Sequence, residues 1–268
     1  MPTLSSDIFE VKNITVSDEY ITNLANKYIE LRSKFIVDED HPIFKNLGFS
    51  TDALKEIIRQ SSKPIRVGDD KRKAYNDIYR SDLGELLLTI YFEEEQATEN
   101  FILPLKNLWD RELVDLPGRG FDGIGYRTSL GKIELLLGEA KVSNEDSTPQ
   151  VVDSKEDSIF KTHLKNRTDK AYLERRIANY AKKLTGDHAA VMHYVLFCLS
   201  TDNNTAFEVV YGCCLVRDSS CLNDPKDFGK LKTETDSFRP GKVQFAIYSY
   251  DKNIEYVIDL FHSKIDAL

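Results

Sequence analysis

Hydrophobic residues recur along this chain with helical spacing in several segments, and these segments predict the helices. Apolar side chains follow a period of about 3.6 over residues 17–35, behind Ser17 as an N-cap candidate, and again over residues 253–265. Residues 51–58 predict a shorter helix. The apolar density of residues 81–92 indicates a helix that is buried on most sides, and residues 165–184 combine an apolar stripe with many cations.

Short apolar runs predict the strands. They lie at residues 133–141, 193–200, 207–216 and 243–250, and residues 121–126 form a further short strand that a turn joins to the first run. Helices and strands therefore alternate in blocks along the chain. This order predicts an α/β fold with a mixed sheet flanked by helices.

The predicted elements also suggest a domain organisation. Residues 1–16 have no clear period and predict an irregular lead or an edge strand, and the helices that follow precede a polar connector over residues 61–73. We therefore expect an N-terminal helical extension over residues 1–73 and the main α/β domain over residues 74–268.

The central hairpin ends in charged residues that a buried strand would not normally carry. The apolar run 133–137 is followed by Gly138, Glu139, Ala140 and Lys141, and side chains alternate between the faces of a strand. Glu139 and Lys141 therefore share a face with core residues, where charge is costly unless it is paired or bound. The hairpin would bring Asp122 beside Glu139. Two carboxylates and an ammonium held together predict a metal site with a lysine at its edge.

Glu85, in the predicted helix at residues 81–92, has two explanations. In the first, Asp82 is the N-cap and Glu85 is the third residue of a capping box, or simply a favourable charge near the positive end of the helix. In the second, the helix points the Glu85 carboxylate toward Asp122 and Glu139. Helix caps are common, which favours the first explanation.

The charge of the chain is unevenly distributed. The 268 residues carry a net charge of −8, which argues against a protein that coats nucleic acid. Residues 161–183 nevertheless carry +6, which leaves about −14 on the remainder. Such a run is either a solvated helix face or a patch that holds a phosphate backbone. The candidate DNA-binding cations are Lys170, Arg175, Arg176, Lys182 and Lys183.

Cysteine usage and the absence of apolar spans predict a cytoplasmic protein. The four cysteines form no C-x-x-C pair, which indicates reduced core thiols rather than a disulfide framework or a zinc site. No apolar run approaches the roughly 18 residues that a membrane helix needs, and the first residues do not resemble a secretory signal. The five histidines are scattered without an i, i+4 pair, so a histidine metal site has little support.

The charged residues of the hairpin resemble a known catalytic signature. Asp122, with Glu139, Ala140 and Lys141 downstream, is similar to the motif of the PD-(D/E)xK nuclease superfamily, although Phe121 stands where the motif nominally has proline. More narrowly, the Gly84-Glu85 helix, the turn at residues 120–123 and the Gly-Glu-Ala-Lys run resemble HamA, the nuclease-subunit family of the Hachiman anti-phage defence systems.

The resemblance implies a restriction-endonuclease-like core and a Mg²⁺-dependent DNA endonuclease, with Mn²⁺ as a substitute. Asp122, Glu139 and the carbonyl of Ala140 would hold the ion, and Lys141 would orient or deprotonate the attacking water. Glu85 would bind a second ion or anchor a water on the metal. The implied partners are DNA and a HamB-like helicase subunit.

Two other classes of function remain open. The first is a nuclease fold that no longer cuts and serves as an adaptor subunit of a DNA translocase; the presence of Asp122, Glu139 and Lys141 argues against it. The second is an acidic mimic of DNA that inhibits another protein. The basic segment at residues 161–183 argues against that.

Overall fold

The computed structural model of the chain describes residues 6–34, 42, 51–64, 72–97, 99–106, 108, 120–129, 131–203 and 205–268. The strands are β1 Ile8–Ile14, β2 Ile102–Lys106, β3 Gly123–Ser129, β4 Lys132–Ser143, β5 Phe207–Asp218 and β6 Lys242–Tyr250. The helices are α1 Asp18–Arg32, α2 Thr51–Ser61, α3 Arg72–Glu94, α4 Gln150–Asp153, α5 Ile159–Thr168, α6 Lys170–Ala181, α7 Gly186–Ser200, α8 Asp224–Asp227, α9 Gly229–Thr233 and α10 Ile254–Ala267. Short 3₁₀ turns lie at Ser219–Cys221 and Thr235–Phe238.

The six strands form one mixed sheet in the order β1-β6-β5-β4-β3-β2. From β1 to β4 the neighbours are parallel, whereas β3 pairs antiparallel with both β4 and β2. Parallel strands are covered on both faces and therefore read as continuous apolar runs; every residue of β6 is buried. The predicted α/β fold with a mixed sheet flanked by helices is confirmed.

Each face of the sheet is covered by its own hydrophobic core. On one side, called here the α3 face, Leu136 and Ala140 of β4 pack with α1, α3 and α10. On the other side, the α6 face, Leu135 and Leu137 of β4 pack with α5, α6 and α7. The alternation of side chains along β4 therefore assigns Glu139 to the α6 face together with Lys141.

The N-terminal elements pack on C-terminal ones. The edge strand expected within residues 1–16 is β1, which pairs with β6. The Ser17 hydroxyl accepts a hydrogen bond from the N–H of Tyr20 (3.1 Å) and so begins α1, as predicted. Helix α1 packs against α10. The division into residues 1–73 and 74–268 stays a prediction, and residues 65–71 near its boundary lie outside the described chain.

Residues 193–200 form the last turns of α7, so the strand predicted there is wrong. Met192, Val195, Cys198 and Leu199 are buried with helical spacing. Short apolar runs look alike in a buried strand and in a buried helix, because periodicity distinguishes the two only over longer stretches.

The single helix predicted over residues 165–184 is divided into α5 and α6. Asp169 ends the first helix and caps the second, since its carboxylate accepts a hydrogen bond from the N–H of Tyr172 (2.9 Å). An aspartate that serves as N-cap stops one helix and starts the next.

The structure describes the state of the cysteines and the length and polarity of the helices. Cys198, Cys213 and Cys214 are buried free thiols, and Cys221 is a partly buried one. In the part of the chain that the structure describes, no helix is both long and apolar enough to span a bilayer.

Candidate metal centre at the end of β4

The β3–β4 hairpin brings Asp122 against the end of β4. Gly123 pairs with Gly138 at the start of β3, and the N–H of Asp122 donates to the carbonyl of Gly138 (3.1 Å). The Asp122 carboxylate accepts a hydrogen bond from the N–H of Ala140 (2.7 Å). The aspartate side chain therefore continues the ladder where the regular pairing of β3 stops, beside Glu139.

The backbone of Ala140 offers a further oxygen at this place. A strand residue directs its N–H and C=O toward the same neighbouring strand. The N–H of Ala140 meets Asp122, so its carbonyl also points to the β3 side of β4. Because β3 begins only at Gly123, this carbonyl lies beyond the last regular β3–β4 pair.

Lys141 lies between carboxylates. Its Nζ is 3.1 Å from Oε1 of Glu139 and 3.3 Å from Oδ2 of Asp157. Burial opposes the charged form of this lysine, but the carboxylates of Glu139, Asp122 and Asp157 outweigh burial and raise the pKa of Lys141. The same contact lowers the pKa of Asp157 against the opposing effect of its own partial burial.

Glu139 is the most deeply buried acid of the cluster, with 6% of its surface exposed. Burial raises the pKa of its carboxyl, and the nearby charges of Lys141 and Arg176 only partly offset that rise. A carboxylate held in this way gains from any additional cation that approaches it. The site is therefore electrostatically suited to a positive ion.

Tyr180 of α6 holds the segment before Asp122 in place, and Gly120 allows the close contact. The Tyr180 hydroxyl of α6 lies 2.9 Å from the backbone N of Phe121, from which it accepts, and 3.2 Å from the Phe121 carbonyl. Gly120 has φ of +117°, and a Cβ there would lie 2.6 Å from the Tyr180 oxygen, so only glycine fits. We call Tyr180 with the Phe121 backbone the tyrosine clamp.

Arg176 is the cation of α6 that the structure brings to the site. Its guanidinium lies over the Phe121 ring, 3.5 Å from the ring centroid, and donates to the Tyr172 hydroxyl (3.2 Å). Tyr172, Arg176 and Tyr180 recur at a spacing of four, so they share one face of α6. That spacing was visible in the sequence, but nothing in it identified Phe121 as the contact.

The other predicted DNA-binding cations lie elsewhere on α6 or just beyond it. Arg175, Lys182 and Lys183 are exposed. Lys170 is also exposed, and it forms ion pairs with Asp202 (2.6 Å) and Glu174 (3.8 Å) at the start of the helix. The structure thus separates Lys170 from the region of Arg176.

Glu85 lies in the middle of α3, which begins at Arg72, so the explanation of Asp82 and Glu85 as a helix cap is wrong. The helix begins at Arg72, before the dense apolar pattern of residues 81–92 from which it was predicted. Glu85 is buried, with 1% of its surface exposed, and accepts a hydrogen bond from the Ser81 hydroxyl (2.6 Å). Gly84 allows α3 to approach β4, because a Cβ there would be 3.4 Å from that of Ala140. Helix α3 therefore crosses directly behind the site, on the opposite face from Glu139.

The donor set fits a hard divalent cation. Mg²⁺ prefers oxygen ligands, and it is usually bound through one or two carboxylates while it keeps several waters. Asp122, Glu139 and the Ala140 carbonyl offer such oxygens. Within the described residues no group of three or more His, Cys, Asp or Glu side chains is arranged to hold a metal.

The similarity of this chain to known proteins extends over nearly its whole length. Residues 16–264 match the HamA family model. The matched range begins just before α1 and ends within α10, so it includes the complete candidate site. No curated protein matches the chain significantly.

Proposed function

The chain belongs to the HamA family, and from this premise we propose that it is the nuclease subunit of a Hachiman defence system. In this proposal it is a metal-dependent endonuclease that hydrolyses phosphodiester bonds of DNA. The observation that carries the proposal is the convergence of Asp122, Glu139 and Lys141 at the end of β4.

The carboxylates of Asp122 and Glu139, with the carbonyl of Ala140, would hold Mg²⁺ or Mn²⁺. A bound divalent ion supplies charge neutralisation at the phosphodiester and a more acidic water. Lys141 provides an ammonium at the edge of the same cluster. This ammonium orients the attacking water and offsets the charge that develops on the phosphate in the transition state.

Glu85 also takes part in the proposed metal site. It would bind a second ion or anchor a water in the coordination shell. Its helix crosses behind Ala140, so the test is whether Glu85→Gln weakens metal binding or only destabilises the buried contact with Ser81.

Cations on α6 support a DNA-binding role for the same side of the molecule. Arg176 lies beside the cluster, and Arg175, Lys182 and Lys183 are further exposed cations on the same helix or just past its end. Lys170 belongs to this proposed set by charge, although it lies at the far end of α6. Contacts to phosphate fix the position of a duplex but read no sequence. We therefore expect little intrinsic sequence specificity.

A partner follows from the charge of the whole chain. A net charge of −8 opposes unaided binding of the chain to DNA. We propose that a HamB-like helicase subunit brings DNA to the site and restrains cleavage until the helicase engages its substrate. The polar and acidic segment over residues 142–157 is a candidate regulatory lid, because Asp157 at its end contacts Lys141.

The experiment is cleavage of supercoiled plasmid by the wild type and by the Glu139→Ala/Lys141→Ala double variant. Both are assayed with and without Mg²⁺ or Mn²⁺, alone and with the helicase subunit and ATP. We expect metal-dependent cleavage that the double variant loses while its circular dichroism spectrum stays unchanged.

Calorimetric titration with Mn²⁺ separates the nuclease from the alternative, a catalytically inactive adaptor subunit. We expect wild-type protein to bind the ion and Asp122→Ala to lose most of that binding. A wild type that binds the helicase subunit but neither binds metal nor cleaves under any of these conditions would be an adaptor.

A further inference from the structure

A cavity lies at the end of the sheet opposite the candidate metal centre. It has a volume of about 750 Å³ and is lined by the start of β4, β5 and β6, by residues around the α5–α6 junction and by the residues before β1. Lys132, which begins β4, lines it, whereas Glu139 lies seven residues further along that strand. At about 3.3 Å per residue, the two sites are on the order of 20 Å apart.

Asn166 of α5 lines this cavity with a buried side chain that lacks partners. Only 1% of the residue is exposed, and neither its amide nitrogen nor its amide oxygen has a hydrogen-bond partner among the described residues. A buried polar atom without a hydrogen-bond partner destabilises the folded protein. A carboxamide presents a donor and an acceptor side by side, which matches the complementary pair on the edge of a nucleobase.

The walls beside Asn166 are apolar and partly aromatic. Leu173, Phe207 and Tyr211 line the cavity, and each is largely buried. Ligand sites in proteins typically have volumes of about 300–1,000 Å³, with apolar walls and a few placed polar groups. The cavity therefore has room for a planar ring and for a substituent that reaches its mouth.

A fixed frame of polar groups forms one side of the cavity. Arg167 donates through Nε (2.8 Å) and Nη2 (2.6 Å) to the carbonyl of Arg239. The Arg239 guanidinium binds both oxygens of Asp7 (3.0 and 2.5 Å), and Asp7 also accepts from the N–H of Val243 (2.8 Å). Arg167 is thus positioned before any ligand arrives.

The two cations Arg167 and Lys132 give the cavity its preference for an anion. Both are exposed and both line it. In the part of the chain described by the structure, neither has a carboxylate within 4.0 Å, whereas Lys170, Arg239 and Lys242 of the same cavity are paired with acids. Arginine and lysine without acidic partners are suited to bind phosphate.

We propose that this cavity is a binding site for a nucleoside phosphate. The base contacts the Asn166 carboxamide between the apolar walls, and the phosphate binds Arg167 and Lys132. The site uses none of the groups at the end of β4, so the proposal is independent of the nuclease assignment.

The test is calorimetric titration of the full-length protein, without divalent ions, with each of the four ribonucleoside 5′-monophosphates. Inorganic phosphate and the corresponding nucleosides are titrated separately as the two halves of the ligand. We expect one nucleotide to bind in the micromolar range, at least about tenfold more tightly than either half. Equal affinity for phosphate alone would reduce the cavity to an anion site, and no binding of any nucleotide would overturn the proposal.

Variants of the cavity identify where the ligand binds. Asn166→Leu keeps the size of the side chain but removes the carboxamide, so it should abolish discrimination among the bases and raise the melting temperature. Lys132→Gln should weaken nucleotide binding several-fold while its nucleoside affinity stays as in the wild type. Lys226→Gln is the matched control, an exposed lysine outside the cavity. Wild-type discrimination in Asn166→Leu, or equal losses in both lysine variants, would contradict this assignment.

Discussion

The Asp122 carboxylate accepts a hydrogen bond from the N–H of Ala140 over 2.7 Å, so this aspartate fixes the strand segment that carries the other charged residues of the site. Asparagine can accept the same hydrogen bond, whereas alanine cannot. We expect Asp122→Asn to unfold at the wild-type urea midpoint and Asp122→Ala to be less stable by about 1–2 kcal/mol.

The same pair of variants separates folding from catalysis. Asparagine removes the negative charge that would hold the metal, so both Asp122→Asn and Asp122→Ala should reduce plasmid cleavage at least about 100-fold. If Asp122→Asn cleaved as well as the wild type, the aspartate would serve only to hold β4.

Lys141 contacts both Glu139 and Asp157, but we expect only one of these acids to be required for cleavage. The Asp157 side chain is 76% exposed and lies outside the proposed ligand set. Asp157→Asn should therefore retain cleavage within about threefold, whereas Lys141→Met should lose about 100-fold or more. Initial rates at saturating Mg²⁺ measure both effects. A loss in Asp157→Asn as large as that in Lys141→Met would show that Asp157 itself is a ligand or an acid–base group.

The tyrosine clamp predicts that a hydroxyl far from Asp122 in the sequence affects metal binding. Tyr180→Phe removes the group that contacts the Phe121 N–H and carbonyl. We expect a loss of about 1–2 kcal/mol in unfolding free energy and a higher Mn²⁺ concentration for half-maximal cleavage. Tyr256→Phe is the matched control, because Tyr256 is exposed on α10. A merely structural role for Tyr180 would lower stability but leave the Mn²⁺ dependence unchanged.

His163 makes the stability of the fold dependent on pH. Burial lowers the pKa of this histidine to about 3, against the opposing hydrogen bond with the Gly212 carbonyl, and Arg176 adds to the decrease. Below the ordinary value of 6.5 the unfolded chain therefore binds a proton that the folded chain does not. The contribution of His163 to stability is complete above pH 6.5 and is lost as the pH falls toward 3.

The measurement is urea unfolding between pH 7 and pH 5, conditions chosen to lie on both sides of the ordinary pKa. His163→Gln retains a donor for the Gly212 carbonyl. Below the ordinary histidine pKa, its unfolding free energy should fall less steeply with decreasing pH than that of the wild type, by up to about 1.4 kcal/mol per pH unit. His193→Gln, on an exposed part of α7, is the matched control. A wild-type slope in His163→Gln would mean that the buried histidine takes up its proton without unfolding.

The fold and part of the site could be predicted because their signals are local in the chain. Charges that follow an apolar run mark the later part of β4, and the turn before β4 defines the hairpin, so the placement of Asp122 near Glu139 could be predicted from spacing. The start of α3 at Arg72 was missed because its first turns lack the dense apolar pattern of its later ones. Asp169 was missed as a boundary because residues 165–170 are all polar, so no interruption of an apolar period marks the break there.

Long-range contacts could not be predicted from any local pattern. Tyr180 and Phe121 are 59 residues apart, and Asp157 reaches Lys141 from beyond the end of its strand. The Asn166 amide, which has no hydrogen-bond partner among the described residues, is likewise visible only when the elements around it are assembled. Such contacts depend on how α5 and α6 pack across the sheet.

Helix α6 links the cavity to the metal centre. Lys170 and Leu173 line the cavity near its first turn, whereas Arg176 and Tyr180 contact Phe121 nearer its other end. At about 1.5 Å per residue, Lys170 and Tyr180 lie about 15 Å apart on one rigid rod. A ligand that displaced α6 at one end would therefore move the backbone before Asp122 at the other. By thermodynamic reciprocity, metal binding would then change nucleotide affinity by the same factor as the nucleotide changes metal affinity.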